Sequence, residues 1–249
     1  MINFQWKFKG NIRPNWSRLS REGIGIWCLC FVLLCQSNVS AQSEDFELWK
    51  GIELEKDWGK KLTFSFEEQV RLNNNVAQFK SAFLDGGVRY KMFKQARISL
   101  GYRYTLRSRS RTQRLYTDLS LKPDKKWWVE PVFRLRYQEN YKRGDLPERT
   151  VRPKLSLKSG IKPLKLDLSL AGELFYELSP EGSDFNRYRL VLGFSRPLAA
   201  RSSVTLNYLF QEEFNVRNPL TSSVISLSYS IVLNEYDLAA RRRLPRVKR

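Results

Sequence analysis

A strict alternation of apolar and polar residues recurs along most of this chain and constrains its fold more than any other feature. In the segment Ala96–Leu106, alternate positions from Ala96 onward are apolar or aromatic, and Arg97 and Arg103 lie between them. A period of two is typical of a β-strand with one apolar and one polar face. A helix that binds nucleic acid would instead gather basic residues three and four apart. The segment therefore predicts a strand, although five of the sixteen residues from Ala96 to Arg111 are arginine.

About eleven such runs follow one another after residue 42, and no window there resembles an amphipathic helix. The runs begin near Phe46, Leu62, Phe79, Ala96, Arg114, Val129, Val151, Leu164, Arg187, Val204 and Ile225. Most are longer than the five or six residues usual in soluble sheets. Their length is close to that needed to cross a bilayer at a tilt. The chain is therefore predicted to be all-β.

The N-terminal region has the three parts of a secretory signal peptide. A basic stretch precedes the apolar segment Gly23–Cys35, and Val39-Ser40-Ala41 provides a small-residue exit. Residues 1–41 are therefore predicted to be a signal peptide, cleaved after Ala41. The apolar segment is too short for a transmembrane helix of about twenty residues.

The three cysteines all lie in this leader, and the chain contains no histidine. The mature chain would therefore lack thiolate nucleophiles, Ser-His-Asp triads and the common zinc and haem ligands. No catalytic residue, metal or cofactor is expected, and the protein is not predicted to be an enzyme.

Long alternating strands, an export signal and aromatic residues near strand ends together predict a single antiparallel transmembrane β-barrel of the outer-membrane type. The barrel would span residues 42–236 and have ten to twelve strands. An even number of strands is expected. The barrel would have ten strands if the Phe46 segment is not part of the wall, or twelve if the chain contains one further strand beyond these eleven runs. The mean hydropathy of −0.48 suits this fold, because half of each strand would face a polar interior. The aromatic residues in question are Trp49, Trp58, Trp127, Trp128, Tyr137, Tyr176 and Tyr208.

Connections between the runs fall into a shorter and a longer set, which predicts the orientation. Short turns belong on the periplasmic side and longer loops outside. The shorter set lies near 57–60, 92–95, 122–125, 159–163 and 196–201. The longer set lies near 73–78, 108–110, 139–149, 179–184 and 215–221.

The polar faces of the predicted strands would bring many charged residues into one lumen. Two interpretations remain open: ion pairs that fill a closed barrel, or an anion-selective pore or binding cavity. The predicted lumen-lining residues are Glu67, Arg71, Arg89, Arg97, Arg103, Arg107, Arg134, Arg136, Glu173, Glu177, Arg187, Arg189 and Glu213.

Outside the lumen, Arg107, Arg109 and Arg111 would lie at the outer surface, where arginine can pair with phosphates of lipopolysaccharide. Residues 237–249 form a basic tail that is predicted to be disordered and to contact anionic lipid headgroups. The expected partners are outer-membrane lipids, lipopolysaccharide and the barrel-assembly machinery, with no nucleic acid because the chain is exported. The oligomeric state stays open.

Several short motifs resemble the domain-of-unknown-function family 2490. They are Asp45-Phe46-Glu47-Leu48-Trp49, Phe66-Glu67-Glu68-Gln69-Val70-Arg71, Gly87-Val88-Arg89-Tyr90, Gly101-Tyr102-Arg103-Tyr104, Tyr188-Arg189-Leu190 and Asn207-Tyr208-Leu209. The resemblance would cover nearly all of residues 45 to 234. It implies an outer-membrane protein of a Gram-negative bacterium with no established activity, and so it supplies no functional residues.

The sequence therefore predicts an outer-membrane barrel with a structural role, or with a passive role as a small pore or binding cavity. The alternative is a soluble periplasmic or secreted β-sandwich that binds a polyanionic ligand, since one alternating strand suits either fold.

Overall fold

The computed structural model describes residues 43–123, 129–161, 164–179, 182–199 and 201–234. The predicted signal peptide, the basic tail and the pair Trp127 and Trp128 lie outside these residues. Eleven β-strands run through the described part of the chain. They are β1 (Ser43–Trp58), β2 (Leu62–Asn73), β3 (Gln78–Lys91), β4 (Ala96–Leu106), β5 (Arg111–Leu121), β6 (Glu130–Lys142), β7 (Glu148–Ile161), β8 (Leu166–Leu178), β9 (Asp184–Ala199), β10 (Ser202–Glu213) and β11 (Leu220–Asn234).

No helix in the described residues is long and apolar enough to cross a membrane.

The strands form one closed barrel in which each strand pairs with its sequence neighbours in antiparallel fashion. The barrel closes where β1 pairs with β11 in parallel, from Ser43 opposite Leu220 to Asp57 opposite Asn234. The Phe46 segment is therefore a wall strand, and the expectation of an even strand number is wrong. Each hairpin reverses the chain, so an odd number of strands makes the first and last strands point the same way. A parallel ladder is only slightly less stable per residue than an antiparallel one.

A single closed sheet also differs from the sandwich alternative, which requires two sheets packed face to face. Closure leaves no free sheet edge, so every strand finds hydrogen-bonding neighbours on both sides.

The connections divide between two ends of the barrel. End A carries the connections at 59–61, 92–95, 122–129, 162–165 and 200–201, and end B carries those at 74–77, 107–110, 143–147, 179–183 and 214–219. β5 finishes and β6 begins at end A, and the interval between them, 122–129, is the longest between two strands, although only short turns were predicted at this end. Apart from 122–129, each connection at end A is as short as or a few residues shorter than the connections at end B. The loop-length difference between the two ends is therefore smaller than predicted.

The period-two alternation separates the side chains into an apolar outer face and a polar inner face. On β4, outward-facing Leu100 is 63% exposed, whereas the Arg103 side chain, pointing inward, is 14% exposed. The same outer face of the barrel carries exposed Ile52 and Leu115. Charged residues such as Glu173 lie buried inside. This arrangement is the reverse of a soluble protein, in which the polar face meets water.

Two β-bulges interrupt this alternation near end B. Arg71 pairs with Ser81 and the next residue pairs with Phe79, so Lys80 is an extra residue on β3. Asn186 is the corresponding extra residue on β9, where Phe175 pairs with Arg187. Each bulge brings two consecutive residues to the interior. A bulge re-aims side chains in this way because two residues oppose one.

Candidate functional site: the charged lumen

The interior of the barrel holds a cavity of about 1070 Å³ that is lined by residues from all eleven strands. Among the described residues that line it, fifteen are Lys or Arg and nine are Asp or Glu. The lumen therefore carries an excess of positive charge. Its volume lies slightly above the range for small-molecule pockets, about 300–1000 Å³.

Twelve of the thirteen charged residues predicted to face the lumen line this cavity. The exception, Glu213, forms an ion pair with Arg187, which does line it. Near end A, Arg89 pairs with Glu55 at 3.1 Å. The residues that line the cavity are Glu67, Arg71, Arg89, Arg97, Arg103, Arg107, Arg134, Arg136, Glu173, Glu177, Arg187 and Arg189.

Glu173 on β8 lies at the centre of one cluster of charged side chains. Its carboxylate lies 2.6 Å from Arg134, 2.9 Å from Arg152 and 3.5 Å from Arg189. Only 3% of Glu173 is exposed. One buried carboxylate thus binds three guanidinium groups from three strands, and the cluster keeps a net positive charge.

A second cluster surrounds Asp85 on β3. The Arg103 side chain donates to Asp85 at 2.6 Å, and the Tyr116 hydroxyl donates to the other carboxylate oxygen, also at 2.6 Å. Next to it, Arg136 donates two hydrogen bonds of 2.7 Å to Asp118. A bidentate pair of this kind is geometrically specific and fixes the guanidinium plane. Arg103 and Arg136 therefore each form an ion pair with a carboxylate of a neighbouring strand.

Four aromatic side chains lie among the lumen arginines, and together they form what we call the arginine–aromatic belt. The Arg71 guanidinium lies 3.9 Å from the centre of the Trp49 ring, and Arg103 lies 3.7 Å from that of Phe83. The remaining close pairs are Arg136 with Tyr116 at 3.9 Å and Arg152 with Phe175 at 4.3 Å. Stacking on an aromatic face stabilises a guanidinium and restricts its orientation.

The sequence pattern did not predict this belt. It placed Trp49 among the aromatic residues near strand ends, but this side chain is buried inside the barrel, beside Leu209 and Val224. Trp49 shares the polar face of its strand with Glu47 and Gly51, and this position in the alternation would have predicted a side chain that points into the lumen. The buried Glu47 carboxylate accepts a hydrogen bond of 2.9 Å from the Trp49 indole.

Two lumen arginines, Arg71 of the belt and Arg114 on β5, are held by amides instead of carboxylates. The Nε of Arg71 donates to Gln69 at 2.8 Å, and the Nε of Arg114 donates to Asn140 at 2.7 Å. Among the described residues, no carboxylate oxygen lies within 4.0 Å of either guanidinium. These two groups are therefore fixed in place without an ion pair to a described residue.

The three arginines predicted to contact lipopolysaccharide lie around the β4–β5 turn at end B. This turn is closed by the Arg107 backbone N–H, which donates to the Ser110 carbonyl at 2.9 Å. Arg107 lines the cavity mouth, and Arg109 is exposed in the turn. Arg111 begins β5 next to the inward-facing Thr112 and so points outward. The three side chains do not form a single patch.

The family model described as protein of unknown function, DUF2490, matches residues 46–220. The chain belongs to the DUF2490 family. No curated relative matches this DUF2490 member.

Among solved structures, this DUF2490 member is similar to the anion-selective porin from Comamonas acidovorans, with a TM-score of 0.38 and 13% identity. The match covers 70% of this chain and 54% of the porin, so the chain spans about half the length of that protein.

Proposed function

We propose that this chain is an outer-membrane β-barrel that admits small anions into its lumen. The observation that carries the proposal is the inverted distribution of side chains, with charged residues inside and large apolar residues exposed around the outside. Monomeric soluble proteins rarely expose contiguous apolar patches larger than a few hundred Å². A lipid environment would remove this surface from water.

The backbone geometry supports a membrane location. The shortest strands have eleven residues, and a transmembrane strand needs about 9–11. In hydrocarbon each unpaired peptide group costs several kcal/mol, which only helices and closed barrels avoid. The parallel pairing of β1 with β11 completes that closure. Assembly by the barrel-assembly machinery would follow from this location.

The excess of positive charge in the lumen supports the preference for anions. Fifteen basic and nine acidic side chains line the cavity among the described residues. Rings of arginine lower the barrier for anions and raise it for cations. A filled, closed barrel is the second candidate, and the cluster around Glu173 favours it because three arginine side chains converge there.

Cell fractionation and bilayer recordings test the two parts of the proposal, the membrane location and the anion preference. We expect the protein to fractionate with outer membranes and to migrate faster on gels before heating than after. In planar bilayers with a salt gradient, the reversal potential should have the sign of chloride selectivity. A protein that stays soluble without detergent would refute the membrane location. Insertion without measurable conductance would refute the pore and favour the filled barrel.

We also propose that Arg107, Arg109 and Arg111 contact lipopolysaccharide phosphates. Arg109 and Arg111 are exposed at end B and point away from the cavity, and arginine binds phosphate through two parallel hydrogen bonds. The contact requires end B to face outside the cell. Labelling of a cysteine in the same turn, at Ser108, measures that orientation.

A further inference from the structure

We infer that the lumen contains a saturable site for a doubly charged small oxyanion, built on Arg71 and Arg114. The inference deepens the proposed function and rests on it, because the anion must enter the barrel. It concerns two particular arginines of the lumen, whereas the proposed function depends on the charge of the lumen as a whole.

The distribution of carboxylates identifies these two arginines. Arg103 and Arg136 each bind a carboxylate of a neighbouring strand, at 2.6 Å and 2.7 Å. Arg134, Arg152 and Arg189 share Glu173. The Arg71 and Arg114 side chains instead donate to neutral amides, those of Gln69 and Asn140. Arg103 and Arg136 therefore each have an ion pair of their own, and three arginines share Glu173. Among the described residues, Arg71 and Arg114 have no ion pair.

The amide bonds also orient the two guanidinium groups for a ligand. Each amide binds the Nε atom, so the paired terminal nitrogens are left to form a fork. Arg71 is further fixed between two rings, with its guanidinium carbon 3.9 Å from the centre of Trp49 and 5.0 Å from that of Phe83. Both arginines line the cavity and neither is fully buried. An entering anion would meet preorganised donors.

The surrounding positive charge makes an unoccupied site electrostatically unfavourable. Arg114 lies directly opposite Arg103 in the β4–β5 ladder, and like charges in such cross-strand pairs are destabilising. Arg71 and Arg103 both lie within 5.0 Å of the Phe83 ring centre. Arg189 lies 5.8 Å from the ring of Trp49, on which Arg71 stacks. A bound anion would relieve this repulsion.

The fork geometry favours phosphate-like or carboxylate-like oxyanions over chloride. A guanidinium donates two parallel N–H bonds to two oxygens of one such group. The charges of Arg71 and Arg114 act on each other across the lumen. Two neighbouring guanidinium groups without an ion pair match a ligand with two negative charges. Inorganic phosphate has the required oxygens and is the simplest probe.

The test is phosphate binding to the full barrel in detergent, measured by isothermal titration calorimetry in a chloride buffer. We expect R71Q and R114Q each to weaken the Kd for phosphate by about tenfold, the loss of one charge-assisted contact. R71K, which keeps the charge and loses the fork, should also weaken it. R217Q is the matched control, because Arg217 lies in the exposed β10–β11 loop and should leave the Kd unchanged.

Heat-modifiable migration of each variant confirms that it has folded. A Kd for phosphate that is the same in R71Q, R114Q and the parent barrel overturns the inference, as does phosphate binding no tighter than chloride. Bilayer conductance of the parent barrel separates this result from failure of the proposed function. A barrel that conducts anions but binds phosphate without these arginines would keep the function and lose the site.

Discussion

At the scale of single residues, a glycine shapes the charged interior. Gly101 on β4 lies directly opposite Tyr116 on β5, and a Cβ atom at Gly101 would stand 2.1 Å from the Tyr116 ring. The ring therefore lies over bare backbone. From there its hydroxyl donates to Asp85 at 2.6 Å, and its face receives the Arg136 guanidinium at 3.9 Å. One missing side chain thus positions two charged groups.

We expect G101A to destabilise the barrel, because the methyl group would displace Tyr116 and weaken both of its contacts. Overpacking of this kind costs about 1–3 kcal/mol. The measurement is the free energy of unfolding in urea for the barrel refolded in micelles. G86A is the control, since nothing lies within 4 Å of its added Cβ atom. Equal stability of the two variants would show that Tyr116 is not packed on Gly101.

At the scale of the strand, alternation in the sequence predicts most of the fold. The outer face of β4, from Ala96 to Leu106, is the apolar set expected from parity. Parity fails where a bulge adds a residue, which is why the run after Phe79 reads as irregular and why the inward side chain of Lys80 was missed. The bulge lets Lys80 reach the buried Glu47 carboxylate at 2.5 Å.

The apolar–polar alternation also does not predict which charged side chains form ion pairs. It places Glu173 and Arg134 in one lumen, but their 2.6 Å contact depends on the register of β6, β7 and β8. It gives no reason to separate Arg71 from Arg103, although among the described residues Arg103 binds a carboxylate and Arg71 does not. Pairing of this kind follows from strand stagger, which no local pattern in the sequence encodes.

Adjacent glutamates on β2 provide a test of the two faces. Glu68 points outward between Ile52 and Leu84, and Glu67 points into the lumen 3.6 Å from Arg103. We expect E68L to raise the free energy of unfolding in lipid vesicles by about 1–2 kcal/mol, since a carboxylate facing lipid is unfavourable. The matched variant E67L should lower it, because Arg103 would lose a partner. A change of the same sign in both variants would argue against a lipid-facing outer surface.

At the scale of the whole molecule, the odd strand number places the start of the first strand and the finish of the last strand at opposite ends of the barrel. β1 begins at end B, and β11, parallel to it, finishes at end A. With an even number, both would lie at the same end. In the proposed outer-membrane location, the orientation of the barrel decides whether the start of β1 or the end of β11 faces the cell exterior. Except for 122–129, the connections at end B are as long as or longer than those at end A, which favours end B outside.

Cysteine labelling tests this orientation, because the mature chain would contain no cysteine if cleavage follows Ala41. We expect S108C, in the β4–β5 turn at end B, to react with a large membrane-impermeant maleimide on intact cells. K94C, in the β3–β4 turn at end A, should react only after lysis. Both positions are exposed, so a difference in labelling reports the side of the membrane. The reverse pattern would put end A outside and exclude the lipopolysaccharide contact of Arg107, Arg109 and Arg111. Labelling of both on intact cells would contradict a membrane-spanning barrel, because the two turns lie at opposite ends of its wall.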